Sequence, residues 1–400
     1  MSTSGLSTAR LGRLHDLMAR QLEQGRAPGV VTAVSRRGEA HVDAIGEMAF
    51  GGAPMKSDTI FRIASMTKPI TAVAAMILVE ECDLRLDDDV DRWLPELAGR
   101  RVLKRIDGPL DETVPANRPI TVRDLLTFRL GFGTVLAPLG SSPILRVPSE
   151  LLLGQGPPNP FEVPPADEWI RRFGELPLLH QPGERWMYNT GSEVLGVLIA
   201  RASGQPFERF LEERIFEPLG MKDTGFHVPS GKIDRLATSY STSGDSGDLH
   251  VYDEAAGGQW SRPPAFPSGG GGLVSTVDDY LAFGEMLLHR GTHAGARLLS
   301  RLSVEAMTTD QLTPDQRVGT EPFLGERRSW GFGVSIVKQR DSIDAVPGRF
   351  GWDGGLGTSW YSDPTEDLVG IVLTQAAWAS PSGPELYQDF WTSAYAAIDD

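Results

Sequence analysis

Ser65 and Lys68 stand three residues apart in the run Ile63-Ala64-Ser65-Met66-Thr67-Lys68-Pro69-Ile70. The apolar stretch Thr71 to Val79 behind them predicts a helix, and Thr59 to Ile63 predicts an extended segment leading into it. Ser65 then falls at or near the helix N-cap, where a hydroxyl is favoured, with Lys68 on the same face of the first turn. An oxygen in that position feels both an ammonium and the positive end of the helix dipole. Both favour an alkoxide-like oxygen and hence an activated nucleophile. A helix that is apolar nearly all round is a buried one, which fixes the geometry such a pair needs.

The spacing alone is not specific. Ser335-Ile336-Val337-Lys338 repeats it, but inside the alternating run Gly331 to Val337, which predicts a strand. On a strand, residues three apart point to opposite faces, so those two side chains cannot cooperate.

Two further stretches give the first motif its context: Gln181-Pro182-Gly183-Glu184-Arg185-Trp186-Met187-Tyr188-Asn189-Thr190-Gly191, and Arg349-Phe350-Gly351-Trp352-Asp353-Gly354-Gly355-Leu356-Gly357. With Ser65-Met66-Thr67-Lys68 they resemble the serine beta-lactamase and penicillin-binding-protein superfamily, in its branch of class C beta-lactamase-like esterases. Phe61-Arg62-Ile63-Ala64-Ser65, Leu125-Leu126-Thr127, Pro218-Leu219-Gly220-Met221 and Gly271-Gly272-Leu273-Val274-Ser275 add matches, so the resemblance runs from about Pro28 to Gln375.

The resemblance implies Ser65 as the acylated nucleophile, Lys68 as its neighbouring base or electrostatic aid, and Tyr188 as the tyrosine of the second motif. It implies an oxyanion hole from the N–H groups of Ser65 and Gly355. The family's second motif is often Tyr-x-Asn; here Asn189 directly follows the tyrosine and Thr190 holds the third place as a substrate-binding residue. Trp352-Asp353-Gly354 replaces the Lys-Thr-Gly of true class C lactamases and completes the implied substrate-binding set. Without that lysine the usual anchor for a beta-lactam carboxylate is gone, and Asp353 is expected to repel one. The implied function is a serine carboxylesterase acting on short or apolar acyl groups through an acyl-enzyme. A beta-lactamase or D,D-peptidase, an amide hydrolase and an acyltransferase are the alternatives on the same scaffold.

The chemistry of these residue types agrees. Ester cleavage through an acyl-enzyme needs a nucleophile, a base and convergent donors for the oxyanion. A phenol titrates near pH ~10 in water, so a tyrosine base needs a nearby cation. A Ser-Lys-Tyr trio can share one proton, which Tyr188 takes from Ser65, gives to the leaving alcohol and later takes from water.

The elements that must position these residues follow from patterning. Ala9 to Gln24 predicts an amphipathic helix. Gly29 to Ser35 and His41 to Gly46 predict a hairpin turning at Arg37-Gly38. Helices are expected at 120–126, 166–176, 192–202, 206–216, 277–289 and 383–398, and strands at 329–337, 359–362 and 368–374. The expected fold is α+β: an antiparallel sheet built from both chain ends, residues 1–85 and 270–400, with a mostly helical region, 86–269, inserted. The proline- and glycine-rich segment from Gly131 to Pro165 is too long for a connector and is expected to wall or cover a cleft. Gly269 to Gly272, lacking a P-loop lysine, is expected to pack closely beside that cleft.

Other chemistries find less support. No serine has glycines at both nucleophile-elbow offsets. Gly291 separates His289 from His293, which reads as a loop and not a metal site; no metal and no cofactor are expected. Asp87 to Asp89 lacks calcium-loop spacing and reads as capping and solvated charge. His180 borders the Pro182-Gly183 turn, where packing is at least as good an account. Cys82, the single cysteine, is expected to be a small buried hydrophobe late in the apolar helix. In a chain of 400 residues, a net charge of −15 argues against nucleic acid and anionic membranes as partners, leaving a small-molecule ester. The first residues lack the apolar core of a signal peptide and no stretch nears the ~20 apolar residues of a membrane span, so a cytoplasmic protein is expected.

Overall fold

The run Gly29–Arg36 is buried at every position, as is Leu368–Thr374. Strands buried on both faces read as continuous apolar stretches, and these two pair antiparallel, Val31 facing Leu373 and Ala33 facing Ile371. In the computed structural model they lie within a seven-stranded antiparallel sheet. Its order is Arg328–Trp330, Ser335–Val337, Phe350–Gly354, Thr358–Asp363, Leu368–Thr374, Gly29–Arg36 and Glu39–Gly46. The sheet thus joins an N-terminal hairpin to strands from the last fifth of the chain, and the fold is α+β as expected. The structure describes residues 3–137, 142–154, 156–242, 248–379 and 383–400; Pro138, one of the prolines of the expected wall, lies outside them.

Helices cover both faces. Thr8–Glu23 and Glu385–Ala396 lay Leu14, Met18, Phe390 and Trp391 against Val30, Val34 and Val372. The opposite face carries Val277–Leu288 and, beyond it, Thr67–Glu80, in which Thr67 to Leu78 are all buried. Thr190–Ser203 packs against Thr67–Glu80, and Ala166–Glu175 and Phe207–Leu211 join the same core. A helix with so little polar surface is held by tertiary packing from all sides.

Several expectations need correction. The run read as one strand from Ser329 to Val337 is a tight hairpin, because Gly333 takes φ +76° and reverses the chain between two short strands. The helix read over 206–216 is α-helical only to Leu211 and then widens into a π-turn over Glu212–Phe216. Cys82 is exposed: the helix ends at Glu80, and Cys82 follows its cap in a left-handed conformation. The hairpin Ser239–Thr242 with Leu249–Asp253 was not foreseen.

Candidate active site

Ser65 does not cap the helix. It lies in a 3-10 turn, Ala64–Met66, that precedes Thr67–Glu80, and the helix N-cap is Met66. The turn arises because Ala64 takes φ +44°, a left-handed backbone that a non-glycine residue adopts at a cost of about 1–2 kcal/mol. Surrounding contacts hold it there. Phe61–Arg62 pairs with Val274–Ser275, and Arg62 is buried in an ion pair with Asp253. Tyr280 Oη donates to Met66 O at 2.8 Å, and Thr358 Oγ1 donates to Ile63 O at 3.1 Å. Strain that persists under such constraint is characteristic of functional turns.

Three sequence-predicted residues meet at the Ser65 hydroxyl. Lys68, 1 % exposed, donates from Nζ to Ser65 Oγ at 2.9 Å and also to Gly270 O. Tyr188 Oη lies 2.8 Å from Ser65 Oγ, and Trp352 Nε1 donates to Tyr188 Oη at 3.0 Å. Lys68 Nζ stands 4.8 Å from the centre of the Tyr188 ring. The phenol is fixed by aromatic neighbours: Phe323 stacks on it at 4.7 Å, and Trp186 and Phe128 flank it. A proton can therefore move between serine and tyrosine along one short axis, with an ammonium beside both.

Gly354 and Gly355 have different surroundings. A Cβ on Gly354 would run into Ile63 O and Thr358 Oγ1, so glycine is what lets this strand lie against the Ser65 turn. Gly355 borders the cavity with open space where its Cβ would be. Among the described residues, neither its N–H nor that of Ser65 is used in a turn or loop backbone hydrogen bond. We expect Gly354→Ala to lose most ester turnover and about 1–3 kcal/mol of stability, and Gly355→Ala to melt like the parent; thermal unfolding and kcat/KM measured together check this.

The other predicted substrate-binding residues are placed differently. Trp352 lines the cavity with its indole on Tyr188. Asp353 borders the cavity, but its carboxylate accepts from Ser359 Oγ at 2.5 Å and Tyr361 Oη at 2.9 Å. Successive side chains on a strand point to opposite faces, so it is turned toward the layer of Trp391, whose Nε1 donates to Ser359 Oγ at 3.1 Å. Burial pushes the Asp353 carboxyl above the usual carboxylate range, with Arg328 opposing that shift. Asp353 is thus not placed to repel an anion bound beside Ser65. Thr190 is fully buried as the first residue of its helix, whereas Asn189, at φ +90°, lines the cavity.

The cavity holds about 700 Å³. Val135, Ile144, Leu145, Leu153 and Pro158 of the proline-rich segment form one wall; Tyr188, Phe323, Trp352, Leu356 and Trp378 face it. Tyr252 Oη ties the wall down by donating to Pro158 O at 2.6 Å. Among the described lining residues none is lysine, arginine or histidine. The glycine run packs at the cavity floor, where Gly270 O takes the second Lys68 hydrogen bond. His180 is not among the lining residues, and burial holds its imidazole pKa below the ordinary range. His289 faces Asp367 at 4.0 Å and His293 faces Glu285 at 3.4 Å, so the two rings serve different carboxylates. Sequence reasoning missed Glu193, a buried acid at the cavity floor; its signal was an acidic residue inside the apolar helix 190–203.

The Beta-lactamase family model matches residues 14–387. The chain belongs to the Beta-lactamase family. It is 41 % identical to protein Rv1367c of Mycobacterium tuberculosis over 88 % of this chain and 87 % of the relative. It is 32 % identical to esterase EstB of Burkholderia gladioli, over 93 % and 92 %. In three dimensions it is similar to a LovD6 mutant of simvastatin synthase from Aspergillus terreus, with a TM-score of 0.79, 26 % identity and 99 % of each chain covered. No helix among the described residues is long and apolar enough to cross a membrane.

Proposed function

We propose that the protein is a serine hydrolase of the Beta-lactamase family that cleaves carboxylic esters with short or apolar acyl groups through an acyl-enzyme on Ser65. The observation that carries this reading is Ser65 Oγ, held between Lys68 Nζ at 2.9 Å and Tyr188 Oη at 2.8 Å, at the edge of an apolar cavity. With the trio one proton short, Ser65 Oγ attacks the ester carbonyl and gives its proton to the Tyr188 phenolate oxygen, which Trp352 Nε1 faces at 3.0 Å. The Ser65 and Gly355 N–H groups receive the developing oxyanion, and Lys68 supplies positive charge beside it. When the C–O bond breaks, Tyr188 returns the proton to the departing alkoxide. Water then attacks the acyl-enzyme, passes a proton to Tyr188, and Ser65 leaves with it.

The substrate side follows from the lining. The indole of Trp352 stands where the lactamases of this family carry a lysine, and no cationic residue lines the described cavity. An acyl or alcohol part without a carboxylate suits such a wall better than a penicillin. The relative named an esterase, at 32 % identity, supports the same reading. A relative named monacolin J acid methylbutanoyltransferase, 28 % identical over 86 % of this chain, favours a second outcome on the same acyl-enzyme, transfer to another acceptor in place of water.

The test is kcat/KM for p-nitrophenyl acetate and butyrate beside that for a chromogenic cephalosporin. We expect efficient ester cleavage and at most weak cephalosporin turnover, because the strained lactam can acylate the same serine. A cephalosporin turned over as fast as both esters would overturn the esterase reading and put a lactamase in its place.

A further inference from the structure

Glu193 is an acid where the pattern calls for a hydrophobe. Its helix buries Val194, Leu195, Val197 and Leu198 around it, and Glu193 itself is 7 % exposed. A carboxylate withdrawn from water must be met by donors or by a cation. Ser268 Oγ donates to Glu193 Oε1 at 2.7 Å, and the N–H groups of Gly269 and Gly270 face the same carboxyl. Oε2 is buried without a hydrogen-bond partner among the described residues. Ser268 Oγ also accepts from Gly271 N at 3.0 Å, so the 268–271 turn is folded around this one acid.

The same turn carries the Lys68 anchor. Gly270 O accepts from Lys68 Nζ, while a Cβ on Gly270 would strike Glu193 Oε1 and come within 3.1 Å of Asn189 Oδ1. Glu193 and the ammonium therefore lie on either side of a single glycine. The groups that face Lys68 are Ser65 and Tyr188, the Gly270 carbonyl and, across it, Glu193. Of these, Glu193 is the one carboxylic acid. Burial raises the Glu193 pKa, and Ser268 and Lys68 oppose that rise.

We propose that Glu193 is a positioning residue of this site: its carboxyl group holds the 268–271 turn and, across Gly270, faces Lys68, whose Nζ that turn aims at Ser65. The inference rests on the reading of Ser65, Lys68 and Tyr188 as the acyl-transfer trio.

The experiment follows kcat/KM for p-nitrophenyl butyrate against pH in the parent, Glu193→Gln, Glu193→Asp and Ser268→Ala. Without the negative charge the trio gives up its shared proton more readily. The acid limb of the Glu193→Gln profile is expected to move about one pH unit lower. Glu193→Asp, which keeps the charge, is expected to hold the limb near its parental place. Ser268→Ala, which weakens the carboxylate form, is expected to move it the same way by less. If Glu193→Gln fails to fold by circular dichroism, the Ser268→Ala limb decides, and an unmoved limb there overturns the proposal. So does a folded Glu193→Gln protein whose profile is lower in height but unshifted, the mark of a purely structural acid. A parent without ester turnover would overturn the functional reading along with it, so the two failures are distinct.

Discussion

Ser65→Ala is expected to remove ester hydrolysis by at least about a thousandfold, with no covalent adduct forming at residue 65. The hydroxyl is the atom on which Lys68 and Tyr188 converge, and among the described residues no other serine, threonine or cysteine side chain hydrogen-bonds to that pair. The fold is expected to be unaffected. Ser65 caps no helix, and its Oγ accepts from two groups that the Gly270 carbonyl and the Trp352 indole also hold. Circular dichroism and thermal unfolding of the purified variant, beside its kcat/KM, check both halves. A folded Ser65→Ala protein that keeps substantial activity would mean that the nucleophile lies elsewhere.

Tyr188→Phe is expected to lower kcat by about a hundred- to ten-thousandfold while leaving KM within a fewfold. The ring that stacks on Phe323 and packs beside Trp352 stays, so the cavity wall keeps its shape. What is lost is the oxygen 2.8 Å from Ser65, which carries the proton in both half-reactions. The variant also leaves Trp352 Nε1 without its acceptor at 3.0 Å, so a small loss of stability, about 1 kcal/mol, accompanies the kinetic one. Unchanged kcat with a raised KM would make Tyr188 a wall residue and remove it from the proton path.

Much of this site was legible in the sequence because its parts are local. Ser65 and Lys68 share one turn of chain, Tyr188 stands directly before a helix, and Trp352-Asp353-Gly354-Gly355 lies on one strand and the turn after it. The sheet was legible for a similar reason: Gly29–Arg36 and Leu368–Thr374 are buried on both faces and read as unbroken apolar runs. What sequence reading got wrong depends on partners distant in the chain. The left-handed backbone at Ala64, held by Phe61–Arg62 pairing with Val274–Ser275, moves Ser65 out of the N-cap. Asp353 is turned from the cavity because Ser359 and Tyr361, on the next strand, receive its carboxylate. The φ of +90° at Asn189 puts that residue, and not Thr190, at the cavity. Glu193 acquires its place only when Ser268 and the glycine turn arrive from 75 residues further along, a meeting no periodicity in the helix reports.

The most direct test of the central claim is covalent labelling with a short-chain alkyl p-nitrophenyl phosphonate, followed by intact-mass measurement and peptide mapping. The phosphonate mimics the ester at the attacked atom but is released slowly from the serine it forms a bond with. The account predicts one adduct per chain, on the peptide containing Ser65, with ester turnover lost in proportion to labelling and no adduct in Ser65→Ala. A label mapped to another residue, or full turnover in a chain labelled at Ser65, would contradict it.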